Sequence, residues 1–275
     1  MKCLVSDGGG VFGIGQASIY AGGNIDKFDF FAGTSIGAAI SIYLALGKDP
    51  AKLPVFFNNE MPRIFNGHGW RKFILGRCRY NDKALNKALQ ELLPGKFGDC
   101  KKPCFVTALN LGTKELKVFS SQDISDGDWP AWEVARAAVA AESYFPPWKG
   151  FADGGPFANN PSMVAVASAS SVLKQDIKKL ELFSVGTGYS PDNSKIPTKS
   201  WGRIRWALYI LDACLSGAAS SMHEKFVNSL PLKKHERVQF MRKKGCVMDN
   251  AKSMFKAKEA WTSEIKEARK QLMDF

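Results

Sequence analysis

The chain has 275 residues, 45% of them hydrophobic, and a formal net charge of +12. This composition supplies a sizeable core and excludes a low-complexity protein, and the length suits one large α/β domain or two small ones. No apolar run approaches the roughly 20 residues of a membrane-spanning helix, so no transmembrane segment is predicted.

The first forty-odd residues alternate between short apolar strands and helical segments. Strands are predicted at residues 3–5 and 28–32, and helices at 12–20 and 38–46. Strands that alternate with helices favour a parallel sheet. We therefore expect an α/β fold with a mostly parallel central sheet and helices on both faces.

The remaining chain predicts further helices and strands in a less regular order. Residues 82–93 and 132–141 are predicted helices, residues 103–111 and 116–120 a strand pair, and residues 180–185 a buried strand. Two amphipathic stripes follow, at residues 201–215 and 254–272. We expect one domain over residues 1–275, with a motif-bearing core at about 3–190 and a helical C-terminal part at about 200–275.

Charge and cysteine usage indicate the compartment and the partners. Residues 231–275 hold twelve Lys or Arg and six Asp or Glu, which predicts either a solvated helical face or peripheral contact with an anionic membrane. No nucleic-acid-binding motif is present, so nucleic acid is not expected. Strand 3–5 begins too early for a cleavable signal peptide, so a cytoplasmic protein is expected. Cys100 and Cys104 lack a second pair at metal-ligand spacing, and neither a metal nor a cofactor is expected.

The stretch Gly33-Thr34-Ser35-Ile36-Gly37 is the strongest local motif. It reads G-x-S-x-G between a predicted strand and a predicted helix, which is the context of a nucleophile elbow. Glycines at both ends allow a sharp turn, so that the Ser35 hydroxyl stands at a helix N-terminus. Ser35 is therefore the candidate nucleophile, with Gly33 and Gly37 as supporting positions.

Two glycine-containing motifs accompany it. Asp7-Gly8-Gly9-Gly10-Val11-Phe12-Gly13 lies upstream, and Asp153-Gly154-Gly155 lies downstream. Consecutive glycines let backbone N–H groups converge, so Gly8, Gly9 and Gly10 are candidate oxyanion donors. Asp153 is the candidate base. Because a free aspartate is a poor base at neutral pH, Asp153 must contact the serine directly in a partly desolvated pocket or have its pKa raised there.

The three motifs together resemble those of the patatin-like phospholipase family. Shorter similarities lie between them, in Phe105–Leu111, Ala137–Pro147, Asn159-Asn160-Pro161 and Ser184–Gly188. The resemblance implies a patatin-like three-layer sandwich and a lipid acyl hydrolase. It also implies a Ser35–Asp153 dyad, an oxyanion hole at Gly8–Gly10 and no metal requirement. The chain departs from the pattern at Phe12, where many members carry Arg or Lys.

Other interpretations remain open at this point. Gly8-x-Gly10-x-x-Gly13 also fits a dinucleotide fingerprint, although no acid stands at the end of the second strand. Ser35, Asp153 and then His223 or His235 follow the order of a hydrolase triad, although both histidines are expected at the surface. A basic membrane-binding scaffold without catalysis is a further alternative.

Residues 50–79 interleave large apolar side chains with arginines and lysines. This composition predicts either a membrane-facing lip of the site, with cations such as Arg71 and Lys72 at lipid headgroups, or a core beneath a long loop. The expected substrate is a membrane phospholipid or another acyl lipid.

Overall fold

The computed structural model describes residues 1–66, 78–189 and 202–275. Within them, seven strands form one mixed sheet in the order β4-β3-β2-β1-β6-β7, with β5 paired to β3. Their bounds are β1 Lys2–Ser6, β2 Phe30–Thr34, β3 Cys104–Asn110, β4 Glu115–Ser120, β5 Phe151–Asp153, β6 Glu181–Val185 and β7 Lys234–Val238. The strands β3, β2, β1, β6 and β7 are parallel, whereas β4 and β5 run antiparallel to β3. The expected mostly parallel sheet is confirmed.

Helices follow most strands, as an α/β order requires. In chain order they are α1 Gly13–Tyr20, α2 Ile36–Ala45, α3 Leu53–Ile64, α4 Lys83–Leu92, α5 Ile124–Gly127, α6 Ala131–Ala138, α7 Gly155–Ala158, α8 Ser162–Ser171, α9 Arg203–Ala213, α10 Ala219–Ser229, α11 Ala251–Ala260 and α12 Thr262–Asp274. A π-helical segment, Cys214–Ala218, joins α9 to α10. The C-terminal stripe predicted at 254–272 is divided into two helices at Trp261.

Alternate residues of each central strand point to opposite faces of the sheet, and both faces are covered. In β1, Leu4 contributes to the larger apolar cluster, together with side chains of α1–α4, α6, α11 and α12. Its neighbours Cys3 and Val5 contribute to a smaller cluster with α8 and α10. Because successive strand residues alternate in direction, a sheet that is apolar on both faces must be buried between two layers. The three-layer arrangement expected from the sequence is thus observed.

Candidate active site

The register of the sheet brings the ends of β2 and β5 together. Thr34 ends β2 and pairs with Thr107 of β3. Asp153 ends β5 and pairs with the next β3 residue, Ala108. Since β4 occupies the opposite edge of β3, β5 follows β2 along a shared edge. Asp153 therefore lies level with the residue that succeeds Thr34, which is Ser35.

Ser35 adopts a strained turn between β2 and α2. Its φ and ψ are 53° and −128°, a conformation that a non-glycine residue rarely holds without a tight surrounding structure. A Cβ at Gly33 would overlap the Gly37 carbonyl, and a Cβ at Gly37 would overlap the Ser6 carbonyl. The flanking glycines are therefore required for the close approach of three backbone segments. The half-buried Ser35 stands at the N-terminus of α2, where the helix dipole favours negative charge.

Asp153 is buried, with 1% of its surface exposed. Its Oδ1 accepts a 2.8 Å hydrogen bond from the Gly155 N–H, while its Oδ2 has no hydrogen-bond partner among the described residues. Burial raises the pKa of the carboxyl to about 7, against smaller lowering effects of the Ser35 hydroxyl and the Gly155 N–H. The Asp153 carboxyl lies beside the Ser35 hydroxyl and has a pKa near neutrality. Its Oδ2, without a partner among the described residues, can therefore accept the hydroxyl proton. Gly154 packs against the Thr107 side chain too closely to carry a Cβ.

A second carboxyl that the sequence did not single out lies near Asp153. Both oxygens of Glu142 are buried and lack hydrogen-bond partners within the described chain. Burial, and secondly the charge of Asp153, raises the pKa of Glu142 to about 8. Glu142 lies two residues after Ala140, whose carbonyl accepts the Asp153 N–H at 3.0 Å. No sequence pattern distinguishes this glutamate from a solvent-exposed one.

The residues Gly8–Gly10, here called the glycine turn, lie against the elbow. A Cβ at Gly8 would stand 3.0 Å from the Cβ of Ser35. Gly9 and Gly10 have φ of 152° and 57°, values that L side chains rarely adopt. The Gly8 N–H donates to the Asn159 carbonyl at 3.0 Å, whereas the N–H groups of Gly9 and Gly10 have no acceptor in the described part of the chain. Of the three candidate donors, Gly9 and Gly10 therefore have N–H groups that no described acceptor occupies.

The glycine turn is flanked by a buried ion pair. The Asp7 carboxylate, 1% exposed, accepts hydrogen bonds of 3.2 and 2.6 Å from the two terminal nitrogens of Arg237 in β7. Burial raises the pKa of Asp7 despite the opposing charge of Arg237. Gly13, at the other end of the motif, packs against Phe57 in α3. Arg237 belongs to a basic run that the sequence suggested for the surface, and only the fold reveals its partner.

An apolar pocket opens beside Ser35. Gly10 and Ser35 are among its lining residues. The apolar wall comes mainly from α3, α4 and the segment after α6: Phe56, Met61, Ile64, Phe65, Leu85, Leu89, Val139, Ala141, Tyr144 and Phe145. The described large apolar residues of the predicted membrane lip therefore line this pocket or the core, namely Phe56, Phe57, Met61, Ile64 and Phe65. Arg71 and Lys72 lie outside the described residues.

The histidines occupy other places. His223 is buried, contrary to the surface position expected, and its Nδ1 lies 2.7 Å from the Asn160 carbonyl. The half-buried His235 contacts the side chain of Asn228. Neither forms a hydrogen bond with Ser35 or Asp153 in the part of the chain that is described, and His68 lies outside it. The surface expectation failed because α10 packs on the loop after α7, which no local pattern reveals.

Across residues 1–66, 78–189 and 202–275, no group of three or more His, Cys, Asp or Glu side chains is arranged to hold a metal ion. Over those same ranges, no helix combines the length and the apolar character needed to cross a membrane.

The chain is similar in sequence to proteins of one known family. A family model described as "Patatin-like phospholipase" matches residues 4–166. The chain is 28% identical to a cGAMP-activated phospholipase of Escherichia coli (strain TW11681), over 64% of this chain and 56% of that protein. It is also 28% identical to Patatin-like protein 4 of Arabidopsis thaliana, over 74% of this chain and 64% of that protein. The chain thus spans less than two thirds of these relatives. Because the family model covers more than half of it, the chain belongs to the patatin-like phospholipase family.

Proposed function

We propose that the protein hydrolyses fatty-acyl esters of glycerolipids, as a phospholipase A or lysophospholipase, through an acyl-Ser35 intermediate. Family membership supports lipid-hydrolysing activity in general. The observation that carries the finer proposal is that Ser35 interacts with the buried Asp153 carboxyl, whose Oδ2 has no partner among the described residues, and also lines an apolar pocket. Such a pocket suits a fatty-acyl chain, since apolar walls favour burial of methylene groups.

The proposed reaction needs only groups already described. Asp153 takes the proton of the Ser35 hydroxyl as Oγ attacks the ester carbonyl, and the carbonyl oxygen becomes an oxyanion. The N–H groups of Gly9 and Gly10, which have no acceptor among the described residues, donate to this oxygen. Asp153 then returns the proton to the leaving alcohol as the C–O bond breaks. Water attacks the acyl-serine in a second round, giving the fatty acid and free Ser35.

The alternatives receive less support. A Ser-Asp-His triad needs a histidine hydrogen-bonded to Ser35 or Asp153. His223 instead contacts the Asn160 carbonyl, and His235 contacts the Asn228 side chain. Dinucleotide binding at Gly8–Gly13 would leave the elbow without a role, although the glycine turn packs against it. A scaffold without catalysis explains neither the strained Ser35 nor the raised pKa of Asp153. The net charge of +12 supports peripheral contact with an anionic membrane, where the acyl lipid resides.

The direct test combines a covalent probe with hydrolysis of defined phospholipids. Wild-type protein should react with a fluorophosphonate at Ser35 and release fatty acid. Ser35→Ala and Asp153→Asn should each reduce hydrolysis by roughly 10³-fold or more. Ser41→Ala and Asp126→Asn alter a buried serine and a buried aspartate outside the site, and they should retain activity. A wild-type protein that neither reacts with the probe nor releases fatty acid would refute the proposal.

A further inference from the structure

The side chain of Thr187, in the segment that follows β6, packs against the glycine turn. The hydroxyl of Thr187 donates to the Gly8 carbonyl at 2.5 Å. A Cβ at Gly9 would overlap the Thr187 side chain, so this threonine lies directly against the turn. Thr187 is 2% exposed. The orientation of the Gly9 and Gly10 N–H groups therefore depends on where Thr187 is fixed.

Thr187 is in turn held by a buried arginine. Nε of Arg242 donates to the Thr187 carbonyl at 3.2 Å, and Nη2 donates to its hydroxyl at 3.4 Å. The guanidinium lies 4.3 Å from the ring centroid of Phe12, whose N–H donates to the Gly9 carbonyl. Arg242 is 5% exposed. The Arg242 guanidinium thus contacts both Thr187 and Phe12, and each of these residues forms a hydrogen bond with the glycine turn.

The backbone of Arg242 is also fixed against the segment that carries Thr187. The Arg242 N–H donates to the Tyr189 carbonyl, and the Tyr189 N–H donates to the Phe240 carbonyl, each at 2.9 Å. These bonds continue the pairing of β6 with β7 beyond the strand ends. The guanidinium is therefore presented by a hydrogen-bonded extension of the sheet. Such a frame gives the precision that oxyanion donors require.

We propose that Arg242 is a positioning residue of the oxyanion site, acting through Thr187 to hold the glycine turn and placing a buried positive charge beside it. The inference rests on the proposed acyl hydrolysis. A preorganised donor pair needs no rearrangement when charge develops on the substrate oxygen, and a nearby buried cation stabilises that charge more strongly than in water. The contribution of Arg242 should therefore appear in the transition state and not in substrate binding.

The test is steady-state kinetics of Arg242→Met on a short soluble ester. We expect kcat to fall roughly 10- to 100-fold while KM stays within about threefold, since oxyanion interactions form only in the transition state. Arg242→Lys retains the charge and should recover part of the loss. Arg269→Met removes another partly buried arginine, which donates to the Ser18 carbonyl, and kcat should not change. All rates are taken per folded molecule, with folding checked by thermal unfolding.

A double-mutant cycle tests the route through Thr187. Thr187→Val removes the hydroxyl that contacts both Gly8 and Arg242, so the double variant should lose little more kcat than Arg242→Met alone. Folded Arg242→Met with wild-type kcat, or additive losses in the cycle, would overturn the inference. Failure of the proposed hydrolysis is distinguishable, because the wild-type protein would then lack both ester turnover and fluorophosphonate reaction.

Discussion

Glu142 and Asp153 carry buried carboxyl groups that interact with each other, and Asp153 also interacts with the Ser35 hydroxyl. The Glu142 oxygens and Asp153 Oδ2 all lack hydrogen-bond partners among the described residues. Burial raises both pKa values, to about 8 for Glu142 and about 7 for Asp153. Two neighbouring carboxyls resist simultaneous ionisation, so the protons leave in two steps that belong to the pair. Between about pH 7 and pH 8 the pair therefore carries about one negative charge, which we place on Asp153.

The first prediction is an acidic limb near neutrality in the pH dependence of kcat/KM. Asp153 accepts a proton only as carboxylate, so activity should fall as pH drops through about 7. Well below that value the loss should approach about tenfold per pH unit. The measurement is hydrolysis of a soluble short-chain ester from pH 5 to 9, with protein stability checked at each pH. Activity that stays constant down to pH 5 would show that Asp153 retains an ordinary pKa or is not the base.

Glu142→Gln should stabilise the protein at alkaline pH. The folded pKa of Glu142, about 8, lies above the unfolded value of about 4.3, so the fold favours the neutral acid. That stability is complete below the unfolded pKa and is lost as pH rises through the folded pKa. Glutamine is neutral throughout. We therefore expect the same Tm as wild type near pH 4 and a higher Tm than wild type at pH 9.

The matched control for Glu142→Gln is Glu115→Gln, at an exposed position in β4. Its difference in Tm from wild type should be the same at both pH values. A Glu142→Gln variant that behaves like this control would indicate that Glu142 ionises freely and is not coupled to Asp153.

Much of this arrangement can be predicted from the sequence, because it depends on local conformational needs. The elbow around Ser35 and the glycine turn require glycine at fixed positions. These glycines can be identified directly in the sequence, without knowledge of distant contacts. Other elements depend on distant partners. The strand β5 has three residues, too few for a periodic pattern, and β7 reads Lys-His-Glu-Arg-Val, with four polar residues out of five. The ion pair of Arg237 with Asp7 and the burial of Glu142 arise only when these strands join the sheet.

Removal of the Arg237 side chain should destabilise the fold strongly. Arg237→Ala leaves the Asp7 carboxylate buried without its cation, and loss of one partner of a buried pair typically costs about 3–5 kcal/mol. Urea unfolding measures the change. The control Lys87→Ala breaks the exposed pair with Glu91 and should cost less than about 0.5 kcal/mol. An additional Asp7→Asn substitution should recover part of the loss, because it removes the unpaired charge. A cost below about 1 kcal/mol for Arg237→Ala would contradict the burial of this pair.

The last prediction concerns acyl-chain length. Ala141 lines the pocket beside Ser35, and its methyl group leaves room for substrate. Ala141→Leu adds three carbons to that space. The larger side chain should exclude a long acyl chain from the pocket, whereas a short acyl chain should still reach Ser35. We expect kcat/KM for a sixteen-carbon ester to fall roughly 10- to 100-fold, and that for a four-carbon ester to stay within about twofold. The control Ala51→Leu adds the same carbons at an exposed position and should change neither value. Equal losses on both esters would indicate damage to the Ser35–Asp153 site. No loss on either would mean that the acyl chain binds outside this pocket.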